Sequence, residues 1–289
     1  AKHRAGAQGP GQTVVFDRGR HGESTPVSAA RQMREALDNR EFHLHYQPVV
    51  DLATGRIVGA EALLRWMSPH RGTVAPDEFV PILEETGLIV PVGTWVLREA
   101  CAQAARLTRL LGTERPFSLT INVSARQLRE PHFAEDVLAL LRTYNVPGHR
   151  LVLEITESLF IDDPIQTQQV LERMATAGLR FGLDDFGTGY SSLSQLQRLP
   201  LYLVKIDQSF VARLGTGTEA TVFVRAIIQL ADALRLQVVA EGVETVGQAD
   251  ELVRLGCRRG QGWLYARATS ARELTAILDA RAGQLAHEA

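Results

Sequence analysis

The sequence predicts an α/β fold, a (β/α)8 TIM-like barrel with one antiparallel strand. Three observations lead there. Strand-like and helix-like segments alternate six times through the C-terminal two thirds, which calls for parallel strands joined by helical crossovers. A hairpin precedes the alternation and supplies the antiparallel strand. The chain has 289 residues, close to the roughly 250 of one such barrel.

Residues 1–28 stand apart. Ala5–Gly11 and His21–Pro26 have loop chemistry, and Thr13–Phe16 forms at most one short strand between them. A domain is expected from residue 29 to 289. Val27–Asn39 has helical spacing, with Met33, Ala36 and Leu37 on one side. Phe42–Val50 and Arg56–Leu64 read as strands, and Asp51-Leu52-Ala53-Thr54-Gly55 between them is turn chemistry. Ala75–Glu85 and Leu88–Leu111 read as helices. Strands then follow at Phe117–Asn122, Leu151–Thr156, Leu179–Asp184, Tyr202–Ile206 and Gln237–Glu241, with a short one near Gly260. Helices are expected at Phe133–Tyr144, Asp163–Ala177, Ser191–Arg198, Glu219–Leu234, Val246–Leu255 and Ala271–Leu285. Asp163-Pro164 is a fitting helix start, an N-cap before a first-turn proline.

Composition narrows the classes. Charged residues are 22% and hydrophobic ones 45%, as in ordinary globular chains. The net charge of −2 favours neither a nucleic-acid duplex nor an anionic membrane. No apolar run approaches the ~18 residues of a membrane span, and no secretory signal is visible. Cys101 and Cys257 form no paired motif, which points to a reducing, cytoplasmic setting. The first residue is Ala1, so a fragment of a longer polypeptide is expected.

The strands share one feature: each ends in a residue able to hold metal or phosphate. These are Glu61, Asn122, Glu154, Asp184 with Asp185, Lys205 with Asp207, Glu241 and Gln261. Parallel barrel strands finish at one rim, where active sites are built. A single strand-end carboxylate is commonly a helix cap; six in succession are harder to dismiss. Brought together they repel one another and call for cations. Oxygen donors with one amide suit Mg²⁺ or Mn²⁺ better than zinc. Lys205 supplies one positive donor, for a water and phosphate, for a salt bridge with Asp207 on the same strand face, or for both.

These residues lie in motifs that resemble the EAL domain family, bacterial phosphodiesterases that cut cyclic di-GMP to linear pGpG. The resemblance runs from about residue 29 to 285. It is carried by Tyr46-Gln47-Pro48, Glu61-Ala62-Leu63, Asn122-Val123-Ser124, Glu154-Ile155-Thr156-Glu157, the run Asp184 to Ser192, Lys205-Ile206-Asp207, Glu241-Gly242-Val243-Glu244 and Gln261-Gly262-Trp263. It implies two divalent ions, Mg²⁺ or Mn²⁺. Glu61, Asn122, Glu154 and Asp184 would hold one; Asp184, Asp185 and Glu241 would surround the other. Lys205 would hold the attacking water, with Glu61 and Glu241 also in the catalytic set. Gln47, Leu63, Arg65, Asp207 and Gln261 would contact the nucleotide. Glu157 and Glu244 would brace the loop from Phe186 to Pro200. Residues 1–28, with Val14-Val15-Phe16-Asp17, resemble the end of a GGDEF diguanylate cyclase domain, which implies a GGDEF domain upstream in the parent chain. A homodimer is left open, and the parent chain could be membrane-anchored.

Three positions depart from the family's common pattern. Tyr202 stands where an acidic or small polar residue is frequent, Arg258 where Asp often follows Gly-Cys, and Ala268 where Pro is usual. The last two are expected near the guanine pocket. A silent domain that only senses cyclic di-GMP is the alternative; the filled ligand positions favour the enzyme. Other short patterns are discounted. Asn122-Val123-Ser124 matches a glycosylation sequon but ends a strand, and His43 with His45 lacks a third zinc ligand.

Overall fold

The computed structural model describes residues 26–112, 114–157, 164–187, 196–215 and 218–287. The strand at Thr13–Phe16, the Asp163 cap, residues 188–195 and the N-terminal tail to residue 25 lie outside them.

In chain order the elements are α1 (Pro26–Asp38), β1 (Phe42–Asp51), β2 (Ile57–Ser68), β3 (Gly72–Val74), α2 (Pro76–Thr86), α3 (Ile89–Leu111), β4 (Ser118–Asn122), α4 (Ala125–Leu128) and α5 (Phe133–Tyr144). There follow β5 (Leu151–Thr156), α6 (Pro164–Ala175), β6 (Arg180–Phe186), β7 (Leu201–Ile206), α7 (Gln208–Val211), α8 (Thr218–Ala233), β8 (Gln237–Ala240), α9 (Val246–Arg254), β9 (Arg259–Gly260), β10 (Thr269–Ser270) and α10 (Ala271–His287). Among the described residues no single helix is long and apolar enough to cross a membrane.

The sheet closes. Its order β1-β9-β8-β7-β6-β5-β4-β2 returns to β1, because β1 pairs with both β9 and β2. β1 is antiparallel to each neighbour, and the other seven strands run parallel. The expected eight-stranded barrel with one reversed strand is therefore present. β2 runs four residues beyond the expected Leu64, because β3 pairs back on it with Trp66 opposite Val74. The short β3, β10, α4 and α7 are not legible in the hydrophobic period, which needs more residues than they have.

The two-residue period of the strands sorts side chains to two layers. Outward residues such as Leu153, Ile155, Val204 and Ile206 meet the helices and are almost fully buried. Phe42, Trp66 and Phe79 form an aromatic cluster there, with centroids 5.7–6.4 Å apart. Inward, Val49, Val152, Leu203 and Val239 form a small apolar plug across the barrel. On strands β2, β5 and β7, and just past the end of β8, the inward positions toward the C-terminal rim are Glu61, Glu154, Lys205 and Glu241.

Candidate active site

Lys205 is 2% exposed, and its Nζ is ringed by four carboxylates. It lies 2.7 Å from Glu241, 2.8 Å from Glu154, 3.1 Å from Asp184 and 3.3 Å from Glu61. β2, β5, β6, β7 and the residue after β8 thus converge on one point, as closure of the sheet requires. Amides complete the ring. Gln261 Nε2 donates to Glu61 at 2.6 Å and Glu241 at 3.0 Å, and Asn122 Nδ2 donates to Glu61 at 2.7 Å. Two glycines permit this crowding. A Cβ at Gly182 would come within 2.8 Å of Leu203 and 3.1 Å of Glu154; one at Gly262 would meet the Val243 carbonyl at 2.1 Å and push Gln261 out of place.

The electrostatics follow from burial over an apolar floor. Burial lifts Glu154 well above the usual carboxylate range; Lys205 works against this, and Glu61 and Asp184 reinforce it. Burial likewise pushes Glu241 up to about 7 against the pull of Lys205. Asp185 is raised to about 6, by burial first and then by Asp184 and Asp207. Burial opposes the charge on Lys205, but the surrounding carboxylates outweigh it and hold the ammonium well above its ordinary value. For Glu61 burial is outweighed by Lys205 and the two amide donors, so its carboxyl sits low.

One ammonium cannot balance Glu61, Glu154, Asp184, Asp185 and Glu241. Oxygen atoms of Asp184, Asp185 and Glu241 lie within 4.8 Å of one another, a spacing at which one cation is shared. The all-oxygen donor set fits a hard divalent ion. The Gln261 Oε1 atom is buried without a hydrogen-bond partner among the described residues. Asp185 adopts φ +53°, a left-handed conformation unusual outside glycine. That turn lets its carboxylate reach the same cluster as its neighbour Asp184.

Above the ring opens a cleft of about 710 Å³. Leu63, Arg65, Asn122, Glu154, Asp184 and Asp185 line one side, and Pro76, Val80 and Val96 form an apolar wall. Arg126 and Arg129 also line it. Sequence reasoning passed over these two. Their signal was two arginines three apart just after the Asn122-Val123-Ser124 strand end, which puts both on one face of a short helix.

Other expected residues sit apart from the cleft wall. Gln47 lies opposite Glu61 in the β1–β2 ladder, and its Nε2 donates to the Ala266 carbonyl at 3.3 Å. Gln261 belongs to the carboxylate ring. Glu157 Oε1 accepts from Gly187 N at 3.4 Å, at the start of the loop it was expected to brace. Glu244 is exposed, and no described side-chain contact ties it to that loop.

Two expectations are corrected. Lys205 does not pair with Asp207: the chain turns at the end of β7, and Asp207 Oδ1 caps α7 by accepting from Ser209 N at 2.9 Å. Nor is Arg258 beside the cleft. It precedes β9, its carbonyl accepts from Leu52 N after the end of β1, and both mark the opposite mouth of the barrel. Ala268 does lie at the cleft end, next to β10, which pairs with His45 and Tyr46.

The family model for the EAL domain matches residues 30–268. This chain belongs to the EAL domain family. Its EAL domain is 44% identical over 245 residues to the bifunctional diguanylate cyclase/cyclic di-GMP phosphodiesterase MucR of Pseudomonas aeruginosa, covering 84% of this chain and 35% of that protein. It is 43% identical over 236 residues to the cyclic di-GMP phosphodiesterase PA2567 of the same organism, covering 81% of this chain and 40% of that protein. The chain therefore spans well under half the length of these relatives. The MucR phosphodiesterase, solved in complex with cyclic di-GMP, superposes with a TM-score of 0.80 at 40% identity, over 85% of this chain and 99% of that one.

Proposed function

We propose that this EAL domain hydrolyses cyclic di-GMP to linear pGpG with two divalent ions, Mg²⁺ or Mn²⁺. The observation that carries the reading is the convergence of Glu61, Glu154, Asp184 and Glu241 on Lys205, with Asp185 and Asn122 alongside. An intact ligand set of this kind is what hydrolysis needs, and binding alone does not.

Divalent ions, when bound, neutralise phosphate charge and acidify water. Glu61, Asn122, Glu154 and Asp184 would hold one ion; Asp184, Asp185 and Glu241 would hold the other. Lys205, fixed by its neighbours and unable to swing away, would orient the attacking water and stabilise the negative charge that develops on it. The water oxygen bonds to phosphorus and the bond from phosphorus to the 3′ oxygen breaks. The departing oxygen takes up a proton, and nothing is oxidised or reduced. Arg65 and Leu63, on the cleft wall, would grip phosphate and base, with Gln47, Asp207 and Gln261 shaping the rim. Glu157 would hold the start of the following loop. The domain would serve as the hydrolytic part of a longer cytoplasmic signalling chain with a GGDEF domain ahead of residue 29. The name of MucR, a bifunctional diguanylate cyclase and phosphodiesterase, and the resemblance of the N-terminal tail support that placement.

The test is pGpG release from cyclic di-GMP with Mn²⁺ or Mg²⁺, repeated in excess chelator and in Ca²⁺. Turnover with the first two, and none with chelator or Ca²⁺, is expected, since the larger Ca²⁺ shell misplaces the water. Full activity in chelator refutes the metal mechanism. Tight binding without turnover in either metal makes the domain a sensor.

A further inference from the structure

The opposite mouth of the barrel carries a charge pattern that hydrolysis does not use. Here the parallel strands begin. Arg56 precedes β2, Arg115 comes just before β4, Arg180 opens β6, Arg235 precedes β8, and Arg258 and Arg259 lead into β9. The carboxylates in the same connections are Asp51 and Glu114. Among the described residues none of the six arginines lies within 4.0 Å of a carboxylate, although Arg259 is near enough to help hold Asp51 low. In a chain of net charge −2, that is a strong local excess of positive charge.

Two of the arginines converge. The strand register places Arg180 beside Val152 and Arg259 beside Val239, so both lie on the inward face just beneath the apolar plug. Tyr202 joins them. The Arg180 guanidinium stacks on its ring at 4.1 Å, and Arg259 donates to its hydroxyl at 3.4 Å. Tyr202 and Arg258 are two of the three departures from the family's common pattern, and both fall at this mouth. The like charges feel one another. Arg115 is lowered by burial and then by Arg56, and His149, at the head of β5, by burial and then by Arg180 and Arg150.

We propose that this mouth is a second anion site, which takes a small soluble oligophosphate of the class of pyrophosphate and nucleoside di- and triphosphates. Guanidinium forks suit phosphoryl oxygens in bidentate pairs. Six arginines at the strand starts of one barrel mouth suit a compact oligoanion; a duplex needs a linear track of charge along its backbone. The plug of Val49, Val152, Leu203 and Val239 lies between this mouth and the carboxylate ring, and the cavity of about 10 Å³ that Arg259 shares with Glu154 and Gln261 is too small to pass an anion.

Inorganic pyrophosphate is the probe, titrated calorimetrically into the full chain in chelator at low salt. Wild type binds, and Arg65→Ala, in the cleft, leaves that affinity unchanged. The charge reversal Arg56→Glu with Arg258→Glu weakens it at least tenfold, while cyclic di-GMP turnover stays at the wild-type rate. Both positions are exposed, so the variant should fold; if its melting curve shows otherwise, Arg258→Ala replaces it, with a severalfold loss expected. Absent wild-type binding, an unmoved affinity in the folded variant, or loss of binding in Arg65→Ala overturns the proposal. So does a poly-glutamate peptide that binds more tightly than pyrophosphate, which would make the mouth a docking surface for an acidic protein.

Discussion

Replacing Lys205 by alanine separates the two halves of the proposed chemistry. Four carboxylates lie within 2.7–3.3 Å of its Nζ, and the side chain is 2% exposed. Removing one partner of a buried ion pair typically costs about 3–5 kcal/mol, because the other is left buried and unpaired. A domain of this size loses roughly 2–4 °C per kcal/mol. In chelator the Lys205→Ala melting temperature should therefore fall by roughly 6–20 °C. Added Mn²⁺ should restore most of the loss, since a divalent ion can neutralise the same carboxylates. Turnover should not recover with it. Loss of one preorganised electrostatic group costs on the order of 10²-fold or more in rate. Affinity for cyclic di-GMP, measured calorimetrically in Ca²⁺ to prevent hydrolysis, should change far less. A pGpG assay, a melt and a titration on one preparation decide the matter. If affinity collapses as completely as turnover, Lys205 is a substrate ligand and the water-orienting role is wrong.

Glu61→Ala should abolish hydrolysis while the chain stays folded, because Glu61 fills a polar ring and leaves no apolar cavity behind; near wild-type pGpG release from the folded variant would remove Glu61 from the metal site. Arg65→Ala should raise KM with kcat little changed, and a fall in kcat alone would reassign it to the transition state. In chelator, stability should fall as pH rises from about 4.5 to about 7. Glu241 moves from 4.5 to about 7 on folding, so the folded state holds the extra proton across that window, and the site loses roughly 3 kcal/mol as the proton leaves. Asp185, more exposed, adds a smaller share of the same sign. Urea unfolding at pH 5 and pH 7.5 should show this slope in wild type and a shallower one in Glu241→Gln; equal slopes would refute it. Mn²⁺ should reverse the sign, because bound ligands must be deprotonated.

Local chemistry made much of the molecule legible in advance. The alternating strands and helices follow from hydrophobic period, and the β1–β2 hairpin from the Asp51–Gly55 turn, where Asp51 accepts from Thr54. The identity of the rim residues also needed no coordinates, since parallel strands in a barrel finish together. Glu61 and Asn122 could be assigned to that rim from their places at strand ends, and the structure brings them there; Gln47, on the reversed β1, was implied by the family resemblance alone.

Closure of the sheet decided the rest. It selected which rim groups meet, drawing Glu61, Glu154, Asp184 and Glu241 onto Lys205 from strands far apart in sequence. It also took Asp207 away from Lys205, since a turn at a strand's end overrides the two-residue alternation that had paired them. Arg258 and Gln261 are three residues apart, and the family resemblance put both near the nucleotide. β9 runs from one mouth to the other between them. Sequence distance carries no sign along a barrel axis; strand direction does, and only the closed sheet supplies it.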